Sequence, residues 1–213
     1  MEQFMKRTVL AVLMLSMALA VNTPSANAQD GMYGSVNLGF SFFNEMGIDF
    51  GPVERGVDFG IGSVVSFALG TPLNENVRVE GEITFRQASV DTFAGFDGEG
   101  LAGAVSFMGN GYYDIPLEGS PIKPFVGAGL GFGLLYAAGT GPVGGASTSD
   151  SGVGFNYQIM GGGAYEVQSD LFVTATLRYW GSTGVTLEDE NGTVFDVNSI
   201  GATELYFGVR KLF

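Results

Sequence analysis

The sequence contains no cysteine and no histidine, and only 15% of its 213 residues are charged. Without cysteine, disulfide bonds, thiol nucleophiles and cysteine-ligated metal centres are excluded. Without histidine, the chain lacks the most frequent general base and the commonest metal ligand. We therefore expect a protein that is not an enzyme, with no catalytic residues, no metal ligands and no cofactor.

Positive charge is also scarce, because 9 Lys and Arg stand against 22 Asp and Glu, for a net charge of −13. Nucleic-acid binding requires a basic surface, so we expect no nucleic-acid partner. The charged fraction of 15% is well below the roughly 25% of a typical soluble domain. Glycine is abundant instead, with 35 residues, more than twice its usual share of about 7%. This composition predicts a glycine-rich β protein in apolar surroundings.

Residues 1–28 have the features of a secretory signal peptide. A short basic segment precedes the apolar run Val9–Val21, and the small residues that follow predict cleavage between Ala28 and Gln29. The run is shorter than the roughly 20 residues that a membrane-spanning helix needs, so a membrane anchor is the less favoured interpretation. We expect export through the Sec pathway and a single domain over residues 29–213.

Apolar and polar residues alternate with a period of two through the rest of the chain, which is typical of β-strands with two different faces. The segment Val77–Arg86 shows this most clearly, because every second residue in it is apolar or glycine and nearly all the others are charged. Eight such segments are predicted at residues 32–42, 57–69, 77–86, 101–115, 122–136, 153–167, 171–180 and 200–213.

The connections between these segments alternate in length. Short ones lie at residues 70–76, 116–121 and 168–170, and long ones at 43–56, 87–100, 137–152 and 181–199. Short turns at one end and long loops at the other are typical of bacterial outer-membrane barrels. The predicted fold is therefore all-β, an eight-stranded antiparallel up-and-down transmembrane β-barrel. A lipocalin-like soluble barrel and a secreted β-sandwich stay as alternatives, because alternation alone does not say which face is inside.

Two segments carry a family resemblance. Lys123–Gly133, with its Pro-Phe-Val-Gly-Ala-Gly-Leu-Gly core, and the terminal segment Leu205–Phe213 resemble strands of the outer membrane protein β-barrel family, which includes opacity-type porins and the barrel of outer-membrane protein A. The resemblance implies a bacterial outer-membrane location. It also implies that the barrel-assembly machinery reads the last strand through Leu205, Phe207, Val209 and Phe213.

A set of charged residues falls on the polar face of the alternating segments. Its members are Asp58, Arg78, Glu80, Glu82, Arg86, Arg178, Glu204 and Arg210. In an eight-stranded barrel the interior is just wide enough for side chains, so we expect these residues to form a charge network that plugs the lumen. Acid–base catalysis by Glu80 and Glu82 is the less favoured interpretation.

The alternate glycines Gly127, Gly129, Gly131 and Gly133 do not form a nucleotide-binding motif, because neither the spacing nor a following helix pattern fits. They are expected on one strand face, where they relieve crowding in the lumen.

The predicted function is a structural or surface-interaction role in the bacterial envelope. The expected partners are outer-membrane lipid, lipopolysaccharide and, through the long loops, a host or cell-surface ligand. Two alternatives stay open, a narrow porin-like channel for small solutes and an adhesin that acts through its outer loops. The number of side chains that fill the lumen distinguishes a plug from a pore.

Overall fold

The protein is described here by a computed structural model that covers residues 31–44, 46–50, 53–93, 96–140, 147–188 and 194–213. The predicted signal peptide, including the cleavage site between Ala28 and Gln29, lies outside these residues and stays a prediction. Twelve strands are present within them: β1 Tyr33–Phe43, β2 Met46–Phe50, β3 Val53–Phe59, β4 Gly62–Pro72, β5 Val77–Phe93, β6 Phe96–Asp114, β7 Ile122–Thr140, β8 Ser147–Gln168, β9 Leu171–Ser182, β10 Val185–Glu188, β11 Val194–Val197 and β12 Ile200–Leu212. In the described part of the chain, no helix is long and apolar enough to cross a membrane.

Eight of these strands close into an antiparallel barrel in the order β1-β4-β5-β6-β7-β8-β9-β12. The first and last strands complete the ring, with pairs that run from Tyr33↔Leu212 to Phe43↔Ala202. Closure leaves the ring without an unpaired edge strand, which is the condition for a sheet to cross a lipid bilayer. The predicted fold class is confirmed.

Four short strands extend the wall beyond the ring at the end where the long connections lie. The strands β2 and β3 form one hairpin, and β10 and β11 form a second one. The two hairpins join through the pairs Asp196↔Asp49 and Val197↔Ile48. The last long connection of the barrel therefore shares a sheet with the first.

Most of the predicted loop at residues 87–100 is instead continued strand. β5 runs on to Phe93 and β6 begins at Phe96, with pairs from Gln87↔Gly103 to Phe93↔Phe96. The prediction was wrong because it took the end of the clear apolar alternation as the end of the strand. Backbone pairing continues past that point, where the polarity of the two faces reverses, with Ala88 and Val90 inside and Gln87 and Ser89 outside.

Large apolar side chains point away from the barrel. On β7 the outward row runs from Val126 to Leu134, and in its middle Leu130 is 61% exposed. Outward aromatic residues lie toward both ends of the wall, with Tyr113, Tyr165 and Phe213 at the short-turn end and Phe155 and Tyr179 toward the other. This apolar outer wall, flanked by aromatic girdles, is the pattern of a membrane-spanning barrel. The lipocalin-like alternative is wrong, because such a barrel places its apolar face inside.

Candidate functional site: the lumen

One ion pair crosses the full width of the barrel at mid-height. Glu82 lies on β5 and Arg178 on β9, four strands away in either direction around the ring. Two hydrogen bonds join them, because Arg178 Nη1 donates to Glu82 Oε1 and Arg178 Nη2 donates to Glu82 Oε2, each at 2.8 Å. Both side chains are almost fully buried. Paired, bidentate geometry of this kind is the strong form of an ion pair.

Neighbouring polar groups complete the coordination of the Glu82 carboxylate. The Thr84 hydroxyl donates to Oε1 at 2.7 Å, and the Gln158 amide donates to the same oxygen at 3.4 Å. Gln158 also donates to Asn110 Oδ1 at 2.7 Å. Strands β5, β6, β8 and β9 are thus linked by side chains within one layer of the lumen.

A second ion pair lies one layer closer to the long-loop end. Arg86 Nε donates to Glu204 Oε1 at 2.9 Å, and neither side chain is accessible to solvent. Ser41 and Tyr206 also donate to the Glu204 carboxylate, at 3.2 and 2.9 Å. Arg86 Nη1 donates to Ser106 Oγ at 2.7 Å. Every oxygen of this buried carboxylate therefore has at least one donor, as a buried charge requires.

The short-turn end of the lumen is organised around Arg78. Its guanidinium donates from Nη1 to the Tyr33 hydroxyl at 2.9 Å and from Nε to the Asp114 carboxylate at 3.2 Å, and it lies 3.6 Å from Glu80 Oε2. The guanidinium carbon also lies 3.8 Å from the centre of the Tyr112 ring, within the range of a cation–π contact. Tyr112 in turn donates to Glu80 Oε1 at 3.0 Å.

Arg210 is also buried in this layer but contacts rings instead of carboxylates. Its guanidinium carbon lies 4.9 Å from the centre of the Phe172 ring and 5.5 Å from that of Tyr33. The structure therefore brings together seven of the eight charged residues that the sequence analysis placed inside the barrel.

Asp58 is the exception, and its predicted place in the lumen is wrong. Its side chain is exposed, whereas its neighbour Val57 is buried. The sequence analysis treated residues 57–69 as one strand with a single alternation. In the structure β3 ends at Phe59 and β4 begins at Gly62, and the pairing of β3 with β5 shifts register between Asp58 and Phe59. Each such irregularity changes which face a residue occupies.

The sequence analysis missed the aromatic residues of the lumen. Trp180 is fully buried, and the Arg86 guanidinium carbon lies 4.0 Å from its ring centre. Together with Val57, Leu135, Val185 and Ile200, Trp180 belongs to an apolar cluster at the long-loop end. The period-two alternation could have predicted these positions. Trp180 lies two residues after Arg178, and Tyr206 two residues after Glu204, so each shares the inward strand face of that charged residue.

Gly127, Gly129, Gly131 and Gly133 face the lumen, as predicted. A β-carbon on Gly131 would collide with the backbone of Phe107 and Met108, and one on Gly129 or Gly133 would collide with the amide of Asn110 or Asn156. These glycines therefore leave the space that the polar side chains of β6 and β8 occupy.

The residues predicted to form the assembly signal lie on the outer face of β12. Leu205, Phe207 and Phe213 are exposed, and Val209 is half-buried. The outer position makes this row accessible to another protein or to lipid, and its recognition by the assembly machinery stays a prediction.

The chemistry that this lumen offers is the pairing of acidic with basic side chains. The carboxylates of Glu82 and Glu204 are neutralised by arginines, and the chain has no histidine to serve as a base. No cluster of potential metal ligands occurs within the residues described.

Comparison with known proteins identifies the family and the fold. The outer membrane protein beta-barrel domain family matches residues 10–209. The search of curated proteins found no match. Among solved structures, Neisserial surface protein A is 18% identical with a TM-score of 0.56, and the match covers 86% of this chain and 98% of that one.

Two further structures agree. The outer membrane protein AlkL, determined in lipid bilayers, is 16% identical with a TM-score of 0.56, covering 90% of this chain and 95% of that one. OprG from Pseudomonas aeruginosa is 12% identical with a TM-score of 0.53, covering 86% and 96%. These likenesses support the eight-stranded fold. With the family match over most of its length, the apolar outer wall and the closed ring, the chain belongs to the outer membrane protein β-barrel domain family and is a barrel of the bacterial outer membrane.

Proposed function

We propose that this protein is a sealed, non-catalytic barrel that supports the outer membrane and presents its long connections at the cell surface. The Glu82–Arg178 pair is the observation that carries the proposal. Because it joins strands on opposite sides of the ring, a solute on the barrel axis would have to separate two desolvated charges. Breaking a buried pair typically costs about 3–5 kcal/mol.

Layers above and below the pair add to the seal. Arg86 and Glu204 fill the next layer, and the apolar cluster around Trp180 closes the long-loop end. Near Arg78 and Arg210 a cavity of about 30 Å³ remains. A cavity of this size holds about one or two water molecules, not a solute. This filling favours the sealed barrel over the porin-like channel.

A surface role follows from what lies outside the membrane. The hairpins β2–β3 and β10–β11 share one sheet, so the first and the last of the long connections are held in a fixed relation instead of moving independently. These segments are acidic in sequence, with Glu45, Asp49 and Glu54 in the first and Glu188, Asp189 and Glu190 in the last. The chemistry favours a cationic partner, or lipopolysaccharide phosphates bridged by divalent cations.

A liposome-swelling assay tests the seal. Refolded protein in proteoliposomes should let in a small sugar such as arabinose no faster than protein-free liposomes do. A larger porin reconstituted at the same protein-to-lipid ratio serves as the positive control. Swelling rates that rise with the amount of refolded barrel and fall with solute size would favour the channel instead.

A further inference from the structure

Two concave apolar grooves lie side by side on the lipid-facing wall, next to the β1–β12 pairing that closes the barrel. The first, of about 770 Å³, crosses β1, β4, β5 and β6 and contains Val36, Phe67, Leu69, Ile83 and Phe107. The second, of about 490 Å³, crosses β12, β9 and β8 on the other side of the seam. Volumes of this size are those of ordinary small-molecule sites, about 300–1,000 Å³.

The first groove exists because two outward-facing residues are glycines and have no side chain to fill it. Gly81 faces outward, and a β-carbon there would have no atom within 4 Å; at its partner Gly109 the nearest would be 3.9 Å away. The inward-facing Glu82 and Met108 also border the groove, so the sheet itself is its floor. The second groove has the same origin, because the small residues Gly163 and Ala175 lie between the larger Ile122 and Phe207.

A ridge divides the two grooves. Val36 and Val209 are direct partners across the seam, and both border both grooves. Lys211, two residues further along β12, and the terminal Phe213 border the first groove at the short-turn end of the wall. The site therefore consists of the two apolar grooves, the ridge between them and the Lys211 ammonium group, which lies at the level where lipid headgroups begin.

We propose that this site binds one diacyl phospholipid with an anionic headgroup, from the leaflet on the short-turn side of the membrane. Its two acyl chains lie in the two grooves, on either side of Val36 and Val209. Its phosphate lies near Lys211, which matches it in charge. Elsewhere on the described wall, Leu130, Phe132 and Leu177 point outward and are exposed.

Photo-crosslinking tests the proposal on the refolded full-length mature chain. The probe is a phosphatidylglycerol with a diazirine in one acyl chain, diluted into phosphatidylcholine vesicles. We expect labelling to saturate at one lipid per barrel and to map to peptides that border the two grooves. Gly81→Leu should abolish labelling in the first groove. Its matched control, Gly161→Leu on β8, fills an outward glycine with similar room that borders neither groove and should change nothing.

The headgroup is tested separately. Lys211→Gln should lower the preference for phosphatidylglycerol over phosphatidylcholine about fivefold, the effect of one lysine charge near an anionic lipid surface. Lys211→Arg should keep the preference. Lys123→Gln should not alter it, because Lys123 is paired with Glu166 and borders neither groove. Slower migration of each variant on gels after boiling confirms that it was folded. Labels spread evenly around the wall, labelling unchanged by Gly81→Leu, or cross-links between two barrels through these grooves would overturn the proposal.

Discussion

Replacing Glu82 with alanine should lower the free energy of unfolding by about 3–5 kcal/mol, the cost of leaving one member of a buried ion pair without its partner. The substitution leaves the Arg178 guanidinium buried and takes away both of its 2.8 Å hydrogen bonds to the carboxylate. A loss of this size is large beside a total stability of about 5–15 kcal/mol. Urea unfolding in lipid vesicles, followed by Trp180 fluorescence, measures it.

The chain provides a matched control for this prediction. Lys123 and Glu166 form an ion pair at the same distance, 2.8 Å, but with side chains that are 52% and 40% exposed. Exposed pairs are worth about 0–1 kcal/mol, so Lys123→Gln should hardly change the urea midpoint. The double variant Glu82→Leu/Arg178→Met should recover most of the stability lost in Glu82→Ala, because it removes both charges. Equal effects of Glu82→Ala and Lys123→Gln would contradict the description of a buried network.

Replacing Leu130 with arginine should cost about 2–4 kcal/mol of stability in a bilayer, because the charge is placed on the lipid face near the membrane midplane. Leu130 lies in the middle of the outward row of β7 and is 61% exposed. Vesicle-based unfolding measures the loss, as for Glu82.

Leu117 is the control for that substitution. It is similarly exposed, at 55%, but lies in the short turn between β6 and β7, outside the wall. Leu117→Arg should change stability by no more than about 0.5 kcal/mol, as surface substitutions usually do. Equal losses of unfolding free energy in Leu130→Arg and Leu117→Arg would show that the outer wall does not face lipid.

The barrel could be predicted well from the sequence, because the features that define a barrel strand are local and recur in every strand. Alternation with period two, and the division into short and long connections, define strand number and direction before any contact is known. The same alternation placed Arg78, Arg86 and Glu204 inside. Which carboxylate meets which arginine was not predictable, because partners such as Glu82 and Arg178 lie on opposite strands and their heights depend on the stagger of the whole ring.

Failures of the sequence analysis occurred where the backbone departs from a regular strand. Asp58 was misplaced by a break at residues 60–61 and a register shift, neither of which leaves a clear pattern in the residues. The ends of β5 and β6 were missed for another reason. The row of outward apolar residues ends near residues 86 and 101, but the backbone pairing of the two strands continues. The aromatic residues of the lumen were overlooked because large rings on a polar face resemble girdle residues unless their position relative to the charges is counted.

Conductance of the refolded protein in planar bilayers tests the central claim, that the lumen is sealed, most directly. The wild-type barrel should show no large, steady ion conductance. The variant Glu82→Ala/Arg178→Ala, which removes the side chains that cross the lumen, should show a conductance well above that baseline. A large, steady conductance of the wild-type barrel that this double substitution leaves unchanged would contradict the account and show that the lumen is a water-filled pore.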